Sequence, residues 1–295
     1  MPLTTRRRAL TALGAATAAG VAAPVLFGGP LAPAARAASA TGGHRPRPHW
    51  RAHAHNDYEH PRPLLDALDQ RFGSVEADVY LVEGELLVAH DPVDLDPRRT
   101  LESLYLRPLR ERVRANHGWV YGGRPRPLQL LVDLKTEGAS TYLALDRVLR
   151  RYPELFTGFR HGRVRRRAVT VVVSGDRAAR EPMAAQDTRL AFYDGRLTDL
   201  GTAADASFIP LISDNWALNF GWQGTGPFPA AERQKLRTLV AGAHARGQQL
   251  RLWSTPDLPG PAREALWGEL LAEGVDFLNT DDLAGLAAFL TAHGA

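Results

Sequence analysis

Two carboxylates two residues apart, Glu76 and Asp78 in Ser74-Val75-Glu76-Ala77-Asp78-Val79-Tyr80-Leu81, are the first sign of chemistry in this chain. Residues i and i+2 of a strand share a face, so both acids point one way while Val75, Ala77 and Val79 point the other. Side by side in a strand core they repel and lose hydration unless a cation or donors compensate them. The run Leu130-Leu131-Val132-Asp133-Leu134-Lys135 repeats the spacing and delivers Asp133 and Lys135 to one face. Oxygen ligands from Glu76, Asp78 and Asp133 suit one hard divalent cation, Ca²⁺ or Mg²⁺, whereas zinc would recruit histidines. Histidines are close at hand in His53-Ala54-His55-Asn56-Asp57 and in His90-Asp91-Pro92. With the cation held by carboxylates, His55 and His90 are free to move protons, one as base and one as acid, which describes a phosphodiester-cleaving site. Lys135 is costly beside a metal ligand without a charged partner, so it is assigned to the substrate phosphate. His53 falls one layer deeper than His55 and reads as structural. Asp57 and Asp91 read as orienters or turn formers.

These residues need strand ends to carry them. From Trp50 onward, β-type runs alternate with helical patterns, the signature of repeated βα units around a mainly parallel sheet. The expected strands are Trp50–His55, Ser74–Leu81, Leu128–Leu134, Ala168–Ser174, Leu190–Tyr193, Phe208–Ser213, Gln249–Ser254 and Val275–Thr280, with Glu85–His90 as a hairpin partner of the second. Helices are expected over Pro63–Arg71, Ser140–Tyr152, Pro229–Arg246, Pro261–Glu273 and Asp282–His293, with Gly73, Gly247 and Gly274 as left-handed caps. Eight strands in about 245 residues match a (β/α)₈ TIM-type barrel better than a doubly wound sheet, and barrels place functional side chains at the C-terminal strand ends.

The 295 residues, 44% of them apolar, are enough for one large core, and a barrel over 50–295 uses them as a single domain. The formal charge of +4 belongs to the first forty residues, which contain Arg6, Arg7, Arg8 and Arg36 and no acid; the remainder has 32 basic and 32 acidic residues. A neutral body gives no compositional reason to expect nucleic acid as an obligate partner. With no cysteine, disulfides, thiolate nucleophiles and zinc–thiolate clusters are excluded. Thr5-Arg6-Arg7-Arg8-Ala9-Leu10, the weakly apolar stretch Thr11 to Leu26 and the small residues around Ala35-Arg36-Ala37 read as a twin-arginine export signal over 1–40. It implies a secreted protein, with 41–49 as a flexible linker.

At the residues that carry the chemistry the chain resembles the superfamily of phospholipase C-like phosphodiesterases, which includes glycerophosphodiester phosphodiesterases and phosphatidylinositol-specific phospholipases C. The resemblance runs from His53 to Leu286 and rests on His55-Asn56-Asp57-Tyr58, Pro63-Leu64-Leu65-Asp66-Ala67-Leu68, Val75-Glu76-Ala77-Asp78-Val79 and Leu87-Val88-Ala89-His90-Asp91-Pro92. Asp133-Leu134-Lys135, Leu252-Trp253-Ser254 and Gly274 to Asp281 agree with its later strands. The His-Asn-Asp-Tyr block is most similar to the subgroup named after a yeast protein of altered mitochondrial inheritance. The resemblance implies a TIM-type barrel, a Ca²⁺- or Mg²⁺-dependent phosphodiesterase, His55 and His90 as the acid–base pair, Glu76, Asp78 and Asp133 as metal ligands, and Trp253 facing substrate. Typical glycerophosphodiesterases carry Arg directly after the first histidine, whereas this chain has Asn56. Asn in that position resembles the metal-dependent phosphatidylinositol phospholipases, where it ligates calcium, and makes Asn56 a fourth ligand candidate.

The expected activity is cleavage of a glycerophosphodiester or phospholipid-type substrate, either by water or through a cyclic phosphate. A non-catalytic secreted barrel that holds metal or phosphate is the competing class. Two further features bear on partners. Arg160-His161 and Arg163-Val164-Arg165-Arg166-Arg167 read as a solvated loop into the next strand, with an anionic surface as the alternative. Trp216, Phe220 and Trp222 either line a substrate mouth or membrane contact or simply pack a long loop.

Overall fold

The computed structural model describes residues 47–295, so the export signal expected over 1–40 and most of the linker lie outside the described residues. Eight strands run parallel: β1 (His49–Ala54), β2 (Phe72–Val82), β4 (Leu128–Leu134), β7 (Val169–Gly175), β9 (Ala191–Gly195), β10 (Leu211–Asn215), β11 (Gln249–Trp253) and β12 (Leu278–Thr280). They pair in the order β11-β10-β9-β7-β4-β2-β1-β12, and a parallel bridge between Arg251 and Phe277 joins the two ends into a nearly closed barrel. The short β3 (Glu85–Val88) folds back antiparallel on β2, as the turn at Glu83-Gly84 predicts.

Period-two alternation separates the two sides of the wall. Val75, Ala77, Val79, Leu130, Val132, Leu134, Val171 and Val173 face outward and are fully buried under the helices, whereas Leu131, Val172, Leu211 and Phe277 form a separate apolar plug. The plug is contributed by β4, by its neighbour β7, by β10 and by the residue that leads into β12. Above it, toward the C-terminal strand ends, the interior turns polar. The outer layer includes the helices Gly138–Leu149, Ala230–His244, Pro261–Ala272 and Leu283–Ala292. Two of these are capped by acids: Glu137 accepts from the Ala139 and Ser140 amides, and Asp282 from that of Gly285.

Some expectations change. Gly73 is not a helix cap but lies inside β2; Arg71 takes the left-handed position (φ 60°), and Gly73 is required because a Cβ there would sit 2.6 Å from Trp50 Cα on β1. The helix Arg107–Ala115, entered through a π turn at Glu102–Leu106, had no counterpart among the expected elements. Its buried Leu106, Leu109 and Val113 are interleaved with four arginines and Pro108, which mask the helical period. The arginine run is a hairpin rather than a loop: β5 (Gly158–Arg160) and β6 (Arg163–Arg165) pair antiparallel, and β8 (Thr188–Arg189) adds a third strand. Trp216, Phe220 and Trp222 are buried, with the Trp216 and Phe220 rings stacked at 4.1 Å, so these aromatics pack their loop and do not line a mouth or a membrane contact.

Candidate active site

Inward positions at the C-terminal end of β1, β2 and β4 bring the predicted residues together. Asp78 and Asp133 are direct cross-strand partners on β2 and β4, and Glu76 lies one layer below Asp78. The compensating charge comes partly from the protein itself. Lys135 Nζ bridges the two aspartates, 3.0 Å from Asp78 Oδ2 and 3.1 Å from Asp133 Oδ1. Burial alone would lower the Lys135 pKa, but Asp133 and Asp78 outweigh it and hold the ammonium charged. Burial raises the Asp78 pKa to about 6, with the Glu76 charge acting in the same direction against Lys135. It also raises that of Asp133, again against Lys135.

Glu76 is engaged deeper in the barrel. Its Oε2 accepts from Arg251 Nη2 at 2.7 Å and from His53 Nε2 at 2.9 Å, and Arg251 Nε donates in turn to Asn279 Oδ1 at 2.8 Å. Burial would push the Glu76 pKa up, but the Arg251 charge and the His53 bond hold it well below the usual carboxylate range. His53 has no exposure, and burial with the Arg251 charge takes its pKa down to about 3, so its Nε2–H donates to Glu76 while Nδ1 accepts from Ser74 Oγ at 2.7 Å. The structural role read from its spacing matches this place.

The two remaining histidines are each held through Nδ1. His55 follows β1, its amide bonded to Thr280 O, and its Nδ1 lies 2.8 Å from Asp281 Oδ1. Donation from Nδ1–H to Asp281 leaves the Nε2 lone pair free. Burial lowers the His55 pKa, but the Asp281 bond and the Glu76 charge more than offset it, and the net shift is upward. Asp281 is itself pinned, its amide donating to Asp257 Oδ2 at 2.7 Å.

His90 is organised by a residue the sequence reading passed over. Tyr58 hydroxyl lies 2.6 Å from Asp78 Oδ2, 2.8 Å from Asn56 Oδ1 and 2.9 Å from His90 Nδ1. The phenol has one proton, and the charged, nearest acceptor is Asp78, with Asn56 competing. Tyr58 oxygen is then left to accept from His90 Nδ1–H, so His90, like His55, keeps Nε2 free of these partners. Tyr80 hydroxyl donates to the His90 carbonyl at 2.8 Å and fixes the backbone there. Asn56, in a left-handed conformation (φ 46°), turns the chain so that His55 and Tyr58 both enter the site. Trp253 ends β11 half-buried, two residues beyond Arg251 on the same face.

The donors suit a hard cation in kind: three carboxylates and an amide, with Asp78 Oδ1 buried and lacking any hydrogen-bond partner. Among the described residues no three His, Asp or Glu side chains form a ready-made cation site. A cation would share Asp78 and Asp133 with Lys135.

The AIM6-like phosphodiesterase domain matches residues 47–194, half of the chain. The altered inheritance of mitochondria protein 6 of Eremothecium gossypii is 32% identical over 268 residues, covering 81% of this chain and 69% of that protein. The chain belongs to the AIM6-like phosphodiesterase family. The homologue from Arthroderma benhamiae is 29% identical, with 78% of this chain and 81% of that one covered. Among solved structures, a glycerophosphodiester phosphodiesterase from Agrobacterium tumefaciens aligns with TM-score 0.48 and 15% identity over 81% of this chain and 97% of its own. A phosphatidylinositol-specific phospholipase C from Listeria monocytogenes aligns with TM-score 0.44 and 9% identity over 77% and 81%. The family match ends at Asp194, so Trp253, Asn279 and Asp281 are placed by the fold of this chain.

Proposed function

We propose that this AIM6-like domain is a divalent-cation-dependent phosphoric diester hydrolase with His55 and His90 as its acid–base pair. The observation that carries the reading is the pair of imidazoles, each fixed through Nδ1 by a different partner, flanking one lysine–carboxylate cluster. His55, its basicity raised by Asp281, takes the proton of the attacking water or neighbouring substrate hydroxyl at Nε2. His90 in its protonated form gives its Nε2 proton to the leaving alkoxide. Lys135 offers a positive charge to the phosphoryl oxygens, and Trp253 contributes an apolar wall for the substrate. Ca²⁺ or Mg²⁺, held by Glu76, Asp78 and Asp133 with Asn56, would add charge stabilisation of the same phosphoryl oxygens. The substrate class is a glycerophosphodiester or phospholipid-type diester, met outside the cytoplasm if residues 1–40 direct export.

The test is hydrolysis of an aryl phosphodiester by the purified protein, with chelator and then with Ca²⁺ or Mg²⁺ restored. Activity should disappear and return. His55→Ala and His90→Ala should each lose at least about a hundredfold, the usual contribution of a general acid or base. Near-wild-type turnover in both variants would overturn the assignment.

A further inference from the structure

The barrel mouth has a second polar group, which begins at β7, the strand next to β4, and centres on β9, two strands from Lys135. Ser174 at the end of β7, Asp194 on β9 and Ser213 on β10 point inward: Ser174 Oγ and Ser213 Oγ both donate to Asp194 Oδ2, at 2.8 and 2.5 Å. Asp194 has no exposure. Arg196, two residues further on, is still extended (φ −120°, ψ 169°) and continues the inward alternation. Its Nη1 donates to Asp194 Oδ2 at 2.7 Å and lies 3.3 Å from Ser213 Oγ, while Nη2 lies 3.3 Å from Ser174 Oγ. Its backbone amide is fixed as well, donating to Asp199 Oδ2 at 2.9 Å.

Asp194 is a buried carboxylate whose Oδ1 has no partner, and Arg196 supplies the opposite charge at Oδ2. The same contacts, with the two serine hydroxyls, hold the guanidinium in one pose. Among the described residues no acceptor takes the Arg196 Nε–H, and the side chain keeps 27% of its exposure. A guanidinium oriented by a buried clamp, with donors left over, is suited to a carboxylate or phosphate oxygen pair. Arg177 lies close enough for its pKa to be lowered by burial and then by the Arg196 charge, and it donates to the Asp194 carbonyl at 2.8 Å. Two guanidinium groups therefore share this side of the mouth. Asp214, the other acid beside it, is turned to the amides of Asn215 and Leu197.

Lys135 continues β4, which pairs with β7, and β7 pairs with β9, so Arg196 lies about 10 Å from the strand of Lys135 at one strand spacing per step. That separation leaves the scissile phosphate at Lys135 and places Arg196 against the far end of one of its alcohol groups. We infer that Arg196, clamped by Asp194, Ser174 and Ser213, is a headgroup site for a second anionic group, so that the preferred diesters carry a carboxylate or phosphate on one alcohol and cationic headgroups are disfavoured. This rests on the phosphodiesterase reading and names the substrate class within it.

The experiment uses three p-nitrophenyl phosphodiesters with the same leaving group and different second alcohols: 3-hydroxypropionate, propanol and choline. The wild-type kcat/KM should fall in that order, with the carboxylate ester favoured over the propyl ester by about tenfold or more, as a charge-assisted contact allows. Arg196→Gln should bring the carboxylate-to-propyl ratio to within about twofold, and Arg196→Glu should turn the preference toward choline. Arg196→Lys, which keeps the charge without the fork, should retain part of the ratio. An equal loss on all three esters in Arg196→Gln, or a wild-type ratio near one, would overturn the inference while leaving the phosphodiesterase reading in place. A binding measurement separates the two ideas if none of the esters is cleaved: calorimetry with 3-phosphonopropionate and propylphosphonate needs no turnover. Tighter binding of the former that is lost in Arg196→Gln supports the site; equal binding of both refutes it.

Discussion

Replacing Tyr58 by Phe removes one oxygen and little else, because the ring is 2% exposed and stays packed against the core. The oxygen lost is the one that joins Asp78 to His90, at 2.6 and 2.9 Å. Asp78 Oδ1 already lacks a partner, so Oδ2 would depend on Lys135 at 3.0 Å and on the more distant His90 Nδ1 at 3.4 Å. A hydrogen bond to a charged, buried acceptor contributes about 1.5–3 kcal/mol, and the variant should be destabilised by about that much in chemical denaturation. Catalysis should fall for a separate reason. His90 is half exposed, with 51% of its side chain accessible, and without Tyr58 its Nδ1–H keeps only the longer contact to Asp78 Oδ2 at 3.4 Å. Loss of an interaction of that size corresponds to about 10- to 100-fold in kcat/KM. The assay is steady-state hydrolysis of the aryl diester by wild type, Tyr58→Phe, His90→Ala and the double variant. If Tyr58 acts through His90, the second substitution costs little once His90 is gone, a coupling that a double-mutant cycle reads directly. Wild-type turnover in Tyr58→Phe, or losses that simply multiply, would refute the reasoning.

Three other outcomes follow from the geometry. A base must be neutral, so activity rises with pH through the His55 pKa; since Asp281 raises that pKa, Asp281→Asn should lower the maximal rate and move the acid limb of the kcat/KM profile to lower pH, and a shift to higher pH would contradict the pairing. Gly175 has φ 80°, and a Cβ there would lie 2.4 Å from Leu134 O and 2.7 Å from Asp133 Oδ1. Gly175→Ala should therefore lose activity as well as stability, with backbone strain of about 1–3 kcal/mol lowering Tm by about 3–10 °C in a domain of this size, and a melting curve matching wild type would show the site is more compliant than its packing implies. Arg251→Leu strands Glu76 inside the barrel without its guanidinium partner, which should cost about 3–5 kcal/mol, and adding Glu76→Gln should restore part of that in urea unfolding; no recovery would mean the loss is one of packing.

The parts of this site that were legible in the sequence are those that share a strand. Glu76 with Asp78, and Asp133 with Lys135, announce their common face by spacing alone, and β4 occupies the same Leu128–Leu134 span that its apolar run indicates. What pairs with them was not legible, because it depends on which strand lies beside or across from which. Glu76 meets Arg251 from 175 positions away, and His55 meets Asp281 from 226 positions away, contacts that exist only because the barrel closes β12 against β1. A signal was available for both. Arg251 and Asn279 are buried polar residues at inward positions of their strands, the same kind of anomaly that marks Glu76 and Asp78, and a charge in such a position requires a partner. Tyr58 offered less, since an aromatic beside a helical turn reads as core, and its ring is core; only the hydroxyl belongs to the chemistry. The expectation that a cation must answer the paired carboxylates also needs dividing. Arg251 answers Glu76, and Lys135 answers Asp78 and Asp133. Any divalent ion thus competes with Lys135 for Asp78 and Asp133 and meets Glu76 beside the Oε2 that Arg251 and His53 hold, so Lys135 is the displaceable partner. A lysine freed from two aspartates by such an ion would be released toward the phosphate, which couples cation binding to substrate binding through one side chain. Lys135→Met should therefore tighten the apparent affinity for Ca²⁺ or Mg²⁺ while weakening that for the diester, and a cation affinity unchanged by removing the ammonium would show that the two do not share these carboxylates.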